Sequence, residues 1–337
     1  MGKKQRILVF IIIVLSHGAF GQKPTVLSVD KSNAAMNEIV TLHGSDFGND
    51  QSKIKVFFGA AQGQIKTIAN QIIEVRTPAG ASFENISVTN ISSGLTGYAS
   101  GQFFLNYHGE QGIAESEFSV QTDFTAQSGL YDLCLCDFNN DNKVDVATAS
   151  TNSNLITIFE NGSAPGSINL TGNDFLVNAR TLHVKCGDLN GDGRPDIVFS
   201  EGSDGDRIFI LMNNGSFNFS LQSTKLTGRK VKRIVITDLD LDGKPKIIVT
   251  DTGGNMVSIL PNQSTLSTIS FATPVNITIP QALSTDALEI SDLNSDGLPE
   301  IITSQYQADS ENKLFICLNK GAFDFNDITI VNVNKTK

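Results

Sequence analysis

The sequence predicts an all-β protein, a small N-terminal β-sandwich followed by blades of a β-propeller. Three observations predict it. Charged residues make up only 18% of the chain, Gly, Ser, Thr and Asn abound, and no long stretch repeats its apolar residues at the helical period. Residues 24–107 alternate over short runs broken by Gly, Asn and Pro. From residue 118 to 337 the chain repeats itself four times, with about four short strands per unit.

The N-terminus precedes this plan. Lys3, Lys4 and Arg6 are followed by nine apolar residues (7–15) and then by Ala19-Phe20-Gly21, a small-x-small cleavage pattern. Nine apolar residues fall short of the ~20 that a helix needs to cross a bilayer. Residues 1–21 are therefore expected to be a signal peptide, and no later segment is long and apolar enough to span a membrane. The 337 residues carry a formal charge of −10; without the signal, 22 basic residues against 35 acidic ones leave −13. Such a surface repels phosphate backbones, which argues against a nucleic-acid partner.

In the first region, candidate strands fall at 26–29, 39–43, 53–58, 72–76, 86–90 and 102–106, with turns at Gly44-Ser45-Asp46 and Pro78-Ala79-Gly80. Six or seven short strands in about 85 residues fit a sandwich. The runs VTLHGSDFG, VFFG and VRTPAG resemble the IPT/TIG family of immunoglobulin-like domains. That resemblance implies an immunoglobulin-like domain over residues 22–107. Residues 108–117, HGEQGIAESE, read as a polar linker.

The second region aligns on Asp137, Asp188, Asp238 and Asp292, spaced by 51, 50 and 54 residues. Each is followed by one apolar run and then another: LITIFENG, RIFILMNNG, MVSILPNQ and KLFICLNKG. A more variable strand is expected to start near Phe217, Phe271 and Phe323, with a comparable one at Phe118 ahead of the first loop. Four-stranded units repeating at about 40–50 residues are blades, which bury their faces only by stacking.

The loops carry the chemistry. DLNGDGRPD puts oxygen side chains at positions one, three, five and nine, Asp188, Asn190, Asp192 and Asp196, with Gly193 at position six for the sharp turn. Without a cation these carboxylates repel, by roughly 4 kcal/mol for two charges about 4 Å apart at an effective dielectric near 20. Calcium, which takes six to eight oxygen ligands, suits the set better than magnesium. An EF-hand would need Glu at position twelve; Thr148, Phe199, Val249 and Thr303 stand there, and extended chain follows each loop. Twelve of the 35 acidic residues lie in these loops, so the acidity is mostly local.

This strand–loop–strand unit resembles the FG-GAP and VCBS repeats of integrin-α-like propellers. The resemblance implies one calcium ion per loop. Carried over by position, its ligands would be Asp137, Asn139, Asp141 and Asp145; Asp188, Asn190, Asp192 and Asp196; Asp238, Asp240 and Asp242; and Asp292, Asn294, Asp296 and Glu300. Two positions depart. Asn142 replaces the glycine, which Asn tolerates, and Lys246 stands at position nine of the third loop. The third site is therefore expected to be weak or empty, its aspartates partly neutralised by the ammonium group.

No GxSxG, HExxH or phosphate-cradling loop occurs, and His43, His108 and His183 lack a recognisable catalytic partner. The chain is expected not to be an enzyme. Cys134 and Cys136 alternate along a strand, point to one face and are poorly placed to bond each other; with Cys186 and Cys317 they read as small buried apolar residues. The resemblance implies a secreted or surface protein that adheres to or recognises an extracellular protein or glycan ligand. The alternatives are a non-catalytic carbohydrate-binding accessory of an extracellular degradation system, or a structural spacer.

Overall fold

The computed structural model describes residues 22–106, 122–164, 167–202, 205–225, 230–251, 254–305 and 312–333. The expected signal segment and linker, with His108 and Phe118, lie outside them. Among the described residues no helix is long and apolar enough to cross a membrane.

The first region forms nine strands: β1 Thr25–Val29, β2 Asn33–Ala35, β3 Ile39–Ser45, β4 Ile54–Phe58, β5 Ala61–Ala69, β6 Ile72–Arg76, β7 Asn85–Asn90, β8 Leu95–Gln102 and β9 Phe104–Asn106. The order β1-β3-β6-β5-β4-β7-β8 is continuous, and β2 pairs with β9. Alternation along the strands turns Val40, Leu42, Val56, Phe58, Ile73, Val75 and Val88 into one core. The sequence reading lacked β2, β5 and most of β8. AQGQIKTIA and LTGYASGQ carry few β-branched or aromatic residues, and pairing with neighbouring strands makes them strands. Gly44 and Ser45, expected in a turn, belong to β3. A side chain on Gly44 would collide with the Thr25 carbonyl of the paired strand, which is why glycine stands there.

Four antiparallel four-stranded blades follow. The first holds β10 Leu130–Cys136, β11 Asp145–Ser150, β12 Leu155–Asn161 and β13 Leu170–Leu176. The second holds β14 Thr181–Gly187, β15 Asp196–Glu201, β16 Arg207–Asn213 and β17 Phe219–Lys225. The third holds β18 Val231–Thr237, β19 Lys246–Asp251, β20 Met256–Leu260 and β21 Val275–Thr278, and the fourth β22 Ala287–Ser291, β23 Glu300–Gln305, β24 Asn312–Leu318 and β25 Asp327–Val333. The outermost strands begin later than expected. Phe217 and Phe323 occupy left-handed turn positions at φ 54° and 59°, and Phe271 makes only an isolated bridge to Asn262.

The cores lie between blades. One cluster joins Cys136, Phe138 and Ile156 of the first blade to Val184, Phe199 and Leu211 of the second. A second joins Leu189 and Ile210 to Ile247 and Leu260. A third joins Leu239 and Ile259 to Ile301 and Phe315. Burying such a side chain stabilises by roughly 1.5–3 kcal/mol, a gain available only when a neighbouring blade is present. Position two of each loop shows this: Phe138, Leu189 and Leu239 are fully buried in the seam to the next blade, whereas Leu293 of the fourth blade is 53% exposed.

Candidate metal centres

Each acidic loop closes the hairpin between the first two strands of its blade, in one register. The residue before position one pairs with position nine: Cys136 with Asp145, Gly187 with Asp196, Thr237 with Lys246 and Ser291 with Glu300. The aspartate at position one then folds the loop. In the second loop the Asp192 and Gly193 amides donate to Asp188 at 3.2 and 2.8 Å. Asp141 and Asn142 donate to Asp137 at 3.1 and 2.8 Å, and Asp242 and Gly243 to Asp238 at 3.1 and 2.8 Å. The Gly297 amide donates to Asp292 at 3.0 Å. Position six is left-handed in all four loops: φ is 81°, 88° and 90° at Gly193, Gly243 and Gly297. Asn142 reaches 68°, so the expected tolerance for Asn holds.

Position nine sits deeper. Asp145 accepts from the Phe138 and Asn161 amides, and Asp196 from the Leu189 and Asn213 amides, all at 2.9 Å. Both carboxylates pin their loop to the third strand of the blade, so any metal would share them with this structural task. Burial pushes Asp145 up to about 6 and Asp188 up to about 7; the backbone amides oppose the rise and the neighbouring aspartates add to it. Asp196 rises well above the ordinary carboxylate range, again chiefly through burial. These groups strain against their own charge.

In the third loop that charge is met from within. The Lys246 side chain is only 1% exposed, and its Nζ lies among Asp238 (3.5 Å), Asp240 and Asp242 and donates to the Lys244 carbonyl at 2.9 Å. These are positions one, three, five and seven, the set from which calcium loops draw their oxygens. Among the described residues, this is the sole loop whose three carboxylates lie within 4.8 Å of one another. The ammonium supplies the positive charge among these oxygens, whereas the three carboxylates of the first, second and fourth loops do not all converge within that distance among the described residues. The same loop fold, with Asn at position three and a carboxylate at position nine, offers hard oxygens to a cation. In the first loop the Asn140 side-chain oxygen is also buried without a hydrogen-bond partner.

The sandwich lies on this loop face. The Ala60 carbonyl accepts from the Asp137 amide at 3.2 Å, and the Thr96 amide donates to Gly243 at 2.9 Å. Lys23 donates to the Leu241 carbonyl at 2.5 Å and stands 3.6 Å from Asp238. Gly191 packs so closely on Gly94 that a side chain at either residue would crowd the other segment. Residues 291–297 of the fourth loop are exposed.

One asparagine per repeat escaped sequence reasoning. The Asn213, Asn262 and Asn319 side chains each donate twice, to the position-eight carbonyl of their own loop and to the position-two carbonyl of the preceding blade, at 2.7–3.0 Å. The signal was present as the Asn that ends each second apolar run. In the first blade Asn161 reaches Val144 of its own loop. His183, buried, stands between Asp132 at 3.5 Å and Arg233 at 3.5 Å, which links three blades.

Comparison with known families locates an IPT/TIG domain at residues 24–104 and FG-GAP-like repeats at 137–199 and 188–249. Solved structures with a similar course of chain include a putative 6-phosphogluconolactonase from Bacteroides fragilis NCTC 9343, 14% identical over 90% of this chain and 85% of its own, with a TM-score of 0.42. An auxiliary nutrient binding protein from Bacteroides ovatus ATCC 8483 is 14% identical over 94% of this chain and 71% of its own, with a TM-score of 0.37. A rhamnogalacturonan lyase from Bacillus licheniformis is 12% identical over 88% and 64%, with a TM-score of 0.38. Likenesses this distant carry no argument about activity. No curated protein matches the chain.

Proposed function

We propose, for a chain that carries FG-GAP-like repeats behind an N-terminal IPT/TIG domain, a non-catalytic extracellular ligand-recognition protein whose blades are stiffened by calcium. The first, second and fourth loops take one ion each. Asp137, Asn139, Asp141 and Asp145 would hold the first, and Asp188, Asn190, Asp192 and Asp196 the second. Asp292, Asn294, Asp296 and Glu300 would hold the fourth. The third loop carries Lys246 in place of an ion. When bound, calcium supplies charge neutralisation and a crosslink within each hairpin; it takes no part in a reaction. The protein's own residues set the loop fold, exclude water at position nine and join successive loops through Asn213, Asn262 and Asn319.

The observation that carries this reading is the Lys246 ammonium among the oxygens of positions one, three, five and seven. A cage that draws in a cation from its own chain is one built for positive charge. At free calcium 100-fold above the dissociation constant, each site would add about 2.7 kcal/mol of stability. Metal analysis and calorimetric titration of the purified chain are expected to give three calcium ions and a lower melting temperature in chelator. No uptake at millimolar calcium, with an unchanged melting temperature, overturns the reading. Recognition of an extracellular protein or glycan is the finer claim, and arrays of matrix proteins and glycans test it against a spacer.

A further inference from the structure

Three of the four cysteines meet where the first two blades face each other. Cys134 and Cys136 lie on β10 with buried side chains on one face, and Cys186 lies on the neighbouring β14. The Cys186 thiol donates at 3.3 Å to the carbonyl of Leu135, the residue between the two β10 cysteines. All are free thiols. A cavity of about 410 Å³ between the sandwich and the blades is lined by all three, and Cys186 is the least buried of them.

The arrangement excludes one role and favours another. Among the described residues the three sulfurs do not all lie within 4.8 Å of one another, as a shared metal ion would require. Cys134 and Cys136 share a face two residues apart, so neither is placed to bond the other. Cys186 is the common neighbour. The candidate cation sites make no use of these sulfurs.

We propose that Cys186 is a redox centre that forms one inter-blade disulfide, with Cys136 or with Cys134, when it meets a low-molecular-weight disulfide. The Cys186 thiolate attacks one sulfur of the external disulfide, which gives a mixed disulfide and releases one thiol. The sulfur of Cys136 or Cys134 then attacks the Cys186 sulfur, and the second external thiol leaves. Two protein thiols are oxidised, one external disulfide is reduced to two thiols, and the two protons end on the departing sulfurs. The third thiol stays reduced beside the new bond. The crosslink ties β10 to β14, strands of two blades otherwise joined by packing and a few polar contacts.

The test treats the native full chain with cystamine, then counts thiols in denaturant, measures intact mass and maps peptides. The expected result is loss of two of the four thiols, a mass lower by about 2 Da for the two hydrogens removed, and peptides joining Cys186 to Cys136 or Cys134. C134S and C136S are each expected to lose two thiols still, and C186S to form no internal crosslink. Retention of four thiols by the wild type, a crosslink to Cys317, or an internal disulfide in C186S overturns the proposal. Should C186S fail to fold, the wild-type peptide map decides alone. Calcium plays no part in this readout, so its outcome is independent of the cation reading.

Discussion

Replacing Lys246 by methionine removes the ammonium from the third cage while keeping an unbranched stem of similar length. Asp238, Asp240 and Asp242 then face one another without their central cation, and Asp238 is 3% exposed. Breaking a buried ion pair by deleting one partner costs about 3–5 kcal/mol. Lys23 remains 3.6 Å from Asp238 and Asp242 is half open to water, which sets the expectation at the low end of that range. For a cooperative unit of this size, about 2–4 °C accompanies each kcal/mol, so the melting temperature in chelator should fall by roughly 6–12 °C. Scanning calorimetry in chelator measures it directly. Added calcium should restore the loss, because the emptied cage keeps oxygens at positions one, three, five and seven. Lys246→Asp carries the idea further: a carboxylate at position nine should raise the bound calcium from three ions to four. A K246M protein that melts with the wild type in chelator, or a K246D protein that takes up no extra ion, contradicts the role given to Lys246.

Two further expectations follow from named contacts. Asn262→Ala removes side-chain hydrogen bonds to Leu189 and Pro245 and leaves two buried carbonyls without that donor; urea unfolding should show a loss of roughly 2–4 kcal/mol, and a loss under 1 kcal/mol would remove the seam role given to this asparagine. In chelator, stability should fall as pH rises from about 4 to 7. Burial raises Asp145 to about 6 and Asp188 to about 7, so the native state holds protons that the unfolded chain has already released. Calcium should flatten that slope by taking the place of those protons. Melting temperatures recorded across this range with and without calcium test both signs, and a chelated protein more stable at pH 7.5 than at pH 5 contradicts them.

Much of this molecule is local in sequence and was legible there. The position-one aspartates, the left-handed position six and the apolar runs that follow are set by chemistry within a dozen residues, so blades and loops could be drawn from the chain alone. The same reasoning failed where pairing overrides composition, as in β5 and β8, and where the aromatic residues Phe217 and Phe323 mark turns instead of strand starts. Lys246 stood out at position nine, but the sequence foretold a partial neutralisation of charge; the fold decides that its Nζ reaches the ligand positions themselves. It also decides that Asn213, Asn262 and Asn319 join successive loops, that the sandwich lies on three of the four loops, and that Cys186 lines one cavity with Cys134 and Cys136, some 50 residues away in the chain. Local chemistry in the chain fixes where each loop falls and which oxygen side chains it carries. Tertiary structure decided which groups from distant repeats stand beside it, because contacts between blades depend on stacking geometry that no single repeat encodes.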